Sequence, residues 1–333
     1  MMKKKVLSII ICLCMVFAVA CTKDKATSGT NTENNEKKTE ASKEASKETS
    51  TDTKEQAETK SSKVYLITMD QMDQHWVNVD AGCRKAVEEL GNIEYEWLAP
   101  DVKDDAKQIE CINNAVAGGA NVILLAANGP DAVTSALEEA EAAGVKIIYV
   151  DSAAAYPAIQ TLATDNEAAG KTAGEEMIKG LEAAGIKEGK IGIVNVNSAT
   201  ASCVAREKGF RSAFEGKAYE LLETQYGEGD AAKSKDIAAN YITSGCVGLF
   251  GANEGSTVGI GIAIQEAGDT IIGVGFDKSD TILELINGGH LLCTMAQNPD
   301  VMGYEGMKTA AKALAGEDTG EANIDTGVSA IKK

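Results

Sequence analysis

The sequence predicts an α/β fold of two Rossmann-like lobes, each built on a parallel sheet. From residue 63 onward, short apolar segments alternate with longer amphipathic ones, which is the order of strands and helices in such folds. Several short segments, among them VILLA, KIIYV and KIGIV, are apolar throughout, as expected for strands covered by helices on both faces. Ten such strands within about 270 residues favour two lobes over one open sheet.

The strands are predicted from the short apolar runs and the helices from the amphipathic stretches between them. The predicted strands are 63–69, 93–98, 121–127, 146–151, 160–164, 190–196, 219–225, 247–251, 270–276 and 291–295. The predicted helices include 76–90, 106–116, 132–143, 167–184 and 204–214. A helix between successive strands is the crossover that parallel pairing requires.

Residues 1–21 are predicted to be a lipoprotein signal peptide. A group of lysines precedes the apolar segment 6–20, and Ala18 and Ala20 place small side chains before Cys21. The apolar segment is shorter than the roughly 20 residues that span a bilayer. The cysteine resembles that of a bacterial lipobox, so we expect lipid attachment at Cys21 on the outer face of a Gram-positive-type cell membrane. An ordinary secretory signal with an incidental cysteine is the alternative.

Residues 22–62 are predicted to be a disordered polar linker. They consist almost wholly of Thr, Ser, Lys, Glu, Asn and Ala, without helical or strand periodicity. Such a segment buries too little apolar surface to offset the entropy of ordering, although its Glu and Lys residues four apart also fit a charged helix. The linker would hold a folded domain away from the membrane.

The charge of the folded part limits its partners. The chain has a formal net charge of −18; residues 1–21 contribute +3 and residues 22–62 contribute −1, which leaves −20 on residues 63–333. Nucleic acids and anionic lipid surfaces attract basic patches, so this charge argues against both as partners.

The cysteines of the folded part are predicted to be small buried apolar residues. Their number is odd, and they have neither a CxxC motif nor the spacing of metal ligands. They are Cys83, Cys111, Cys203, Cys246 and Cys293. A single disulfide among them remains an alternative, whereas a disulfide-rich scaffold does not fit this length and spacing.

Polar residues follow the predicted strands at their carboxyl ends. In a parallel α/β fold these ends share one edge, and ligands bind just outside it. The residues are Asp70, Asp73, Asn128, Asp151, Asn195, Asn197, Asn253, Asp277 and Gln297. Any one Asp or Asn could instead cap a helix, but their recurrence favours a shared ligand cleft.

A series of motifs resembles the type I periplasmic sugar-binding proteins, specifically the ribose/galactose branch. The motifs run in order through residues 63–333: DAGCRKAVEELG, GANVILLAANGPDAV, GVKIIYVDS, TDNEAAGKTAGEEM, AREKGF, GANEGSTVG, GVGFDKSD and TMAQNPDVMGYEG. The glycine-rich segments fit neither GxGxxG nor GxxxxGK[ST], so no nucleotide cofactor is implied.

The resemblance implies two lobes joined by a three-strand hinge, with a sugar between them. The crossovers are expected near 164–165, 297–298 and 325–326. The N-terminal lobe would then contain 63–164 and 298–325, and the C-terminal lobe 165–297 and 326–333.

The resemblance also implies a set of ligand-binding residues. Side chains that donate and accept hydrogen bonds suit sugar hydroxyls, and an aromatic ring offers an apolar face to sugar C–H groups. The implied residues are Asp73, His75, Trp76, Asp151, Arg206, Asn253, Asp277 and Gln297.

Two departures from ribose binders argue for another sugar or polyol. Ser152 stands where a second arginine is usual, and Ala231 stands in place of the aromatic residue of the second lobe. We therefore expect a hexose, an inositol or a furanone-type signal as ligand.

The predicted function is that of a lipid-anchored, monomeric solute-binding component of an ABC importer. Lobe closure on a sugar would create the form that the membrane permease recognises. The same domain could instead report its ligand to a membrane kinase or chemoreceptor. An enzyme is disfavoured because the chain has only two histidines and neither GxSxG nor HExxH, and no cofactor or metal is expected.

Overall fold

The computed structural model describes residues 61–333, so the predicted signal peptide, Cys21 and the linker up to residue 60 lie outside the described residues. The strands are β1 (Ser62–Ile67), β2 (Ile93–Leu98), β3 (Val122–Leu125), β4 (Lys146–Val150), β5 (Thr161–Ala163), β6 (Gly189–Asn195), β7 (Tyr219–Leu221), β8 (Gln225–Tyr226), β9 (Cys246–Gly251), β10 (Ile272–Phe276), β11 (Cys293–Gln297), β12 (Asn323–Asp325) and β13 (Val328–Lys332). The helices are α1 (Gln74–Leu90), α2 (Asp105–Ala117), α3 (Thr134–Ala142), α4 (Asn166–Ala183), α5 (Ala201–Ala213), α6 (Ala231–Thr243), α7 (Glu254–Glu266), α8 (Asp280–Gly288) and α9 (Pro299–Ala315).

The strands form two sheets, which confirms the predicted α/β class. The first sheet has the order β12-β5-β4-β3-β1-β2, and every pair in it is parallel. The second has the order β13-β11-β10-β9-β6-β7, with β8 also paired to β6. It is parallel except for β13, which runs antiparallel to β11. Each sheet is the centre of one lobe.

The chain passes between the two sheets three times. It leaves the first sheet after β5 for α4 and β6, and it leaves the second after β11 for α9. It crosses again between β12 and β13. Two of the crossings are held together, because Asn298 Nδ2 donates to the Thr326 carbonyl at 2.8 Å.

Each sheet is covered by apolar residues on both faces. Val64, Leu66 and Leu124 point to one face of the first sheet and Ile67 and Ile123 to the other, and all five are fully buried. This alternation explains why the strands read as continuous apolar runs in the sequence.

Glycines allow neighbouring helices to pack closely. A Cβ at Gly82 in α1 would overlap the carbonyl of Asp300 in α9, and a Cβ at Gly209 in α5 would overlap the carbonyl of Glu167 in α4. Only glycine permits such contact between helix backbones.

The structure corrects several predicted boundaries. The predicted strand 219–225 is divided into β7 and β8, and the predicted strand 291–295 begins two residues later, so that Gln297 is its last residue. β1 begins at Ser62, one residue inside the predicted linker. β12 was not predicted, because its three residues lack an apolar run.

All five cysteines among the described residues are free, so the single disulfide that the sequence left as an alternative does not form within residues 61–333. Over the same range, no helix is both long and apolar enough to cross a membrane.

Candidate ligand-binding cleft

A narrow cleft, with a cavity of about 20 Å³, lies where the carboxyl edges of the two sheets face each other. All eight predicted residues line it, and Met69, Lys103, Val196, Ser202 and Cys203 complete the wall. The strand-end positions and the helices that follow them therefore converge from both lobes.

His75 and Trp76 form the aromatic wall of the first lobe. Both lie in the first turn of α1 and are buried, with ring centroids 4.6 Å apart and planes 85° apart. The indole N–H of Trp76 donates to Asp70 Oδ2 at 3.3 Å, which fixes the ring. Asp70 thus supports the wall from behind.

The His75 imidazole lies between two carboxylates. Its Nε2 is 3.1 Å from Asp151 Oδ2 in the same lobe, and its Nδ1 is 3.6 Å from Asp277 Oδ1 in the other. Burial lowers the pKa of His75, but the close contact with Asp151 and the charges of Asp151 and Asp277 outweigh it, so the pKa is raised. The imidazole is thereby biased towards its cationic form.

Asp151 and Asp277 have backbones in the left-handed region. Their φ values are 63° and 72°, directly after β4 and β10. Aspartate tolerates this region better than most residues, and such conformations concentrate at functional sites. The turn directs each carboxylate into the cleft.

Arg206 is the buried cation of the second lobe. Its Nε donates to Asn166 Oδ1 at 2.7 Å and its Nη1 to the Ala252 carbonyl at 3.0 Å. The guanidinium lies 4.4 Å from the Phe276 ring centroid and within 3.6 and 3.9 Å of the Asp151 and Asp277 carboxylates. Its orientation is therefore fixed before any ligand binds.

Asn253 and Gln297 each form a hydrogen bond within the protein through one atom of the side-chain amide. Asn253 Oδ1 accepts from Ser256 N at 3.2 Å and caps α7, so the capping alternative also holds here. Gln297 Nε2 donates to Asp277 Oδ1 at 2.6 Å. The other amide atoms, Asn253 Nδ2 and Gln297 Oε1, make no hydrogen bond.

Four buried polar atoms in the cleft have no hydrogen-bond partner within the described part of the chain. They are His75 Nε2, which faces Asp151 without hydrogen-bond alignment, Arg206 Nη2, Asn253 Nδ2 and Gln297 Oε1. Buried polar groups are almost always paired, because an unpaired one costs about 1–3 kcal/mol. Donors and an acceptor are therefore available to a polar ligand.

Lys103 is a cleft residue that the sequence did not predict. It lies in the loop after β2, and its Nζ is 2.9 Å from Asp73 Oδ2 and also bonds Asp70 Oδ2. Burial raises the pKa of Asp73 to about 6, against the opposing charge of Lys103. The signal available in the sequence was a lysine among aspartates at the carboxyl end of a strand.

Four predicted strand-end residues, Asp70, Asn128, Asn195 and Asn197, do not line the cleft. Asn128 Nδ2 donates to Asp105, Asn195 Nδ2 to Glu207, and Asn197 Oδ1 accepts from Thr200 N before α5. None of the three asparagines is the N-cap of a helix, so the capping alternative does not hold for them either. They shape loops around the cleft.

The lobes touch across the cleft. Thr200 Oγ1 in the second lobe donates to the Asn128 carbonyl in the first at 2.7 Å. Ser202 N reaches Ser152 Oγ at 3.4 Å. The structure is therefore a closed arrangement of the two lobes.

Comparison with known proteins gives the family. A family model for the periplasmic binding protein domain matches residues 64–318. The ribose import binding protein of Haemophilus influenzae is 28% identical over 268 residues, covering 78% of this chain and 87% of that protein.

Solved structures agree with this assignment. A carbohydrate transporter solute-binding protein from Agrobacterium radiobacter in complex with D-arabinose has a TM-score of 0.78 and 31% identity, over 82% of this chain and 95% of that one. An ABC transporter solute-binding protein from Agrobacterium vitis with bound D-fucose has a TM-score of 0.77 and 28% identity, over 81% and 95% of the two chains. The chain therefore belongs to the periplasmic binding protein family, whose members are solute-binding components of ABC importers and not enzymes.

Proposed function

We propose that this chain is the lipid-anchored receptor of an ABC sugar importer and binds an uncharged monosaccharide or polyol in the cleft. The observation that supports it best is the set of four buried polar atoms, on His75, Arg206, Asn253 and Gln297, that make no hydrogen bond. Sugar hydroxyls both donate and accept, so one small polyol can satisfy donors and acceptors together.

The charges of the cleft favour an uncharged ligand. The carboxylates of Asp70, Asp73, Asp151 and Asp277 outnumber the nearby cations, which are Lys103, Arg206 and, when protonated, His75. An anionic sugar would bring a further negative charge among these carboxylates without an unpaired cation to receive it. Sugar acids and sugar phosphates are therefore poor candidates.

The relatives support a monosaccharide of five or six carbons. The proteins compared above are named for ribose or contain D-arabinose or D-fucose. Ser152 in place of a second arginine offers one hydroxyl donor instead of five N–H donors in the first lobe, which favours a ligand other than ribose. We therefore place D-allose, D-arabinose, D-fucose and myo-inositol beside D-ribose as candidates.

The proposal includes attachment through Cys21, a linker over 22–62 and a monomeric receptor with lobes of 63–164 plus 298–325 and 165–297 plus 326–333. A tether keeps a receptor beside its permease in a cell without an outer membrane.

Expression in a Gram-positive host tests the lipid anchor: wild type should stay in the membrane fraction, whereas Cys21→Ala should lose the lipid and leave that fraction. Membrane retention of unlipidated protein would contradict the anchor.

Thermal shift against the candidate sugars tests the binding proposal. A sugar at about 100 times its dissociation constant adds about 2.7 kcal/mol to the free energy of unfolding. Asp277→Ala should abolish this shift, because the carboxylate bonds Gln297 and faces the cleft. Asp104→Ala is the matched control, since it removes only the α2 cap. An unchanged shift in Asp277→Ala would contradict this cleft as the site.

A further inference from the structure

The N-terminus of α1 is capped by a side chain from the other lobe. Asp73 occupies the N-cap position but makes no capping bond, because its carboxylate bonds Lys103 Nζ. The backbone N–H groups of Gln74 and His75 instead donate to Oε1 and Oε2 of Glu254, each at 3.0 Å. One carboxylate thus holds two successive amides of a helix in the first lobe.

Glu254 is well fixed for this contact. It is the first residue of α7, directly after the N-cap residue Asn253, and its residue surface is only 9% exposed. An acidic group at the start of a helix is also favoured by the helix dipole. The contact therefore joins the first turns of two helices from opposite lobes.

We propose that Glu254 is a positioning residue: by capping α1 across the cleft it holds the closed form and sets the rate at which ligand leaves. This rests on the proposed function. Glu254 does not line the cleft, whereas the neighbouring His75 and Trp76 do. When the lobes separate, the carboxylate and the two amides return to water, so the contact stabilises closure alone.

The protonation of Glu254 is compatible with this contact. Burial and the carboxylates of Asp73 and Asp277 raise the pKa of Glu254 to about 7, against the two backbone hydrogen bonds. The ionised form accepts both N–H groups, and the protonated form still accepts through its carbonyl oxygen. Glu254→Gln imitates the protonated form and is the conservative variant.

The test uses the sugar that gives the largest thermal shift among D-ribose, D-allose, D-arabinose, D-fucose and myo-inositol. Stopped-flow measurement of its dissociation rate tests the proposal. Glu254→Ala should raise the dissociation rate about tenfold, since it strands two amides in the closed form. The association rate should change much less, and Glu254→Gln should lie between Glu254→Ala and wild type. Asp104→Ala, which removes a cap within one lobe, should lower the melting temperature without changing release.

Two results would overturn the proposal. One is an unchanged dissociation rate in Glu254→Ala. The other is that, without sugar, Glu254→Ala lowers the melting temperature as much as Asp104→Ala does. That result would mean that Glu254 is an ordinary helix cap, which stabilises the protein whether or not ligand is bound.

If no sugar of the set shifts wild type, the proposed function fails and closure is measured directly. Met72→Cys and Glu228→Cys place exposed thiols on opposite lobes at one mouth of the cleft. Glu254→Ala should slow their cross-linking by a short bismaleimide in sugar-free protein. Equal cross-linking rates with and without Glu254→Ala would overturn the proposal independently of the ligand.

Discussion

At the scale of single residues, the cleft consists of charges that compensate one another. His75 faces Asp151 and Asp277, and Lys103 bonds Asp73. A buried charge is costly unless it is paired, so replacing one of these residues leaves the charge of its partner uncompensated. The effect of a single substitution here should therefore be compared with that of the double variant in which the partner is also replaced.

Lys103→Met should strongly destabilise the protein, because it leaves Asp70 and Asp73 as neighbouring buried carboxylates. Breaking a buried ion pair costs about 3–5 kcal/mol in the free energy of unfolding, which urea denaturation measures. Adding Asp73→Asn should recover part of the loss by removing one of the stranded charges. A double variant no more stable than the single one would show that the pair is not the cause.

The pKa of His75 predicts a pH dependence. Because that pKa is raised above 6.5 in the folded protein, its contribution to the free energy of unfolding is complete below pH 6.5 and is lost as the pH rises through the raised value. The raised pKa of Glu254, about 7, acts in the same direction.

The melting temperature of the sugar-saturated protein should therefore fall from pH 6.5 upward. His75→Gln should show a flatter profile, because only the Glu254 contribution and weaker ones remain. Calorimetry across this pH range measures both slopes. An equally steep fall in His75→Gln would contradict the assignment to His75.

At the scale of elements, the sequence predicted what depends on local pattern. The strand 93–98 is confirmed at both ends, and the continuous apolar run at 122–125 is a central buried strand. β12 escaped prediction because it is held by pairing with β5 and not by apolar residues of its own. Lys103 escaped because its partners, Asp70 and Asp73, meet it only through the pairing of β1 with β2.

The contact between α4 and α5 gives a test at this scale. Gly209→Ala should lower the free energy of unfolding by about 1–3 kcal/mol, the usual cost of overpacking, since its Cβ would overlap the Glu167 carbonyl. Gly180→Ala in α4 is the control, because there the Cβ meets the flexible Leu292 and Ile272 side chains. Urea unfolding of both variants measures the difference. Equal losses would contradict the close backbone approach as the reason for glycine at 209.

At the scale of the whole molecule, the three crossings predict that closure would be a motion of two rigid lobes. The apolar clusters lie within the lobes, one on each face of each sheet, whereas the contacts across the cleft are polar. Polar groups can exchange partners with water when the lobes separate, so opening costs little apolar burial. We therefore expect the resting position of the lobes to be governed by ligand and by a few cross-cleft bonds.

Small-angle X-ray scattering should detect this closure. Without sugar, the four cleft atoms that make no hydrogen bond favour an open form in which water reaches them, so the radius of gyration should exceed that of the closed structure. A saturating sugar should reduce it, since one ligand bonds groups from both lobes. Asp277→Ala should keep the larger radius at the same sugar concentration, whereas the control Asp104→Ala should contract as wild type does. A sugar that raises the melting temperature without changing the radius would contradict ligand-driven closure and indicate a cleft that is already closed before binding.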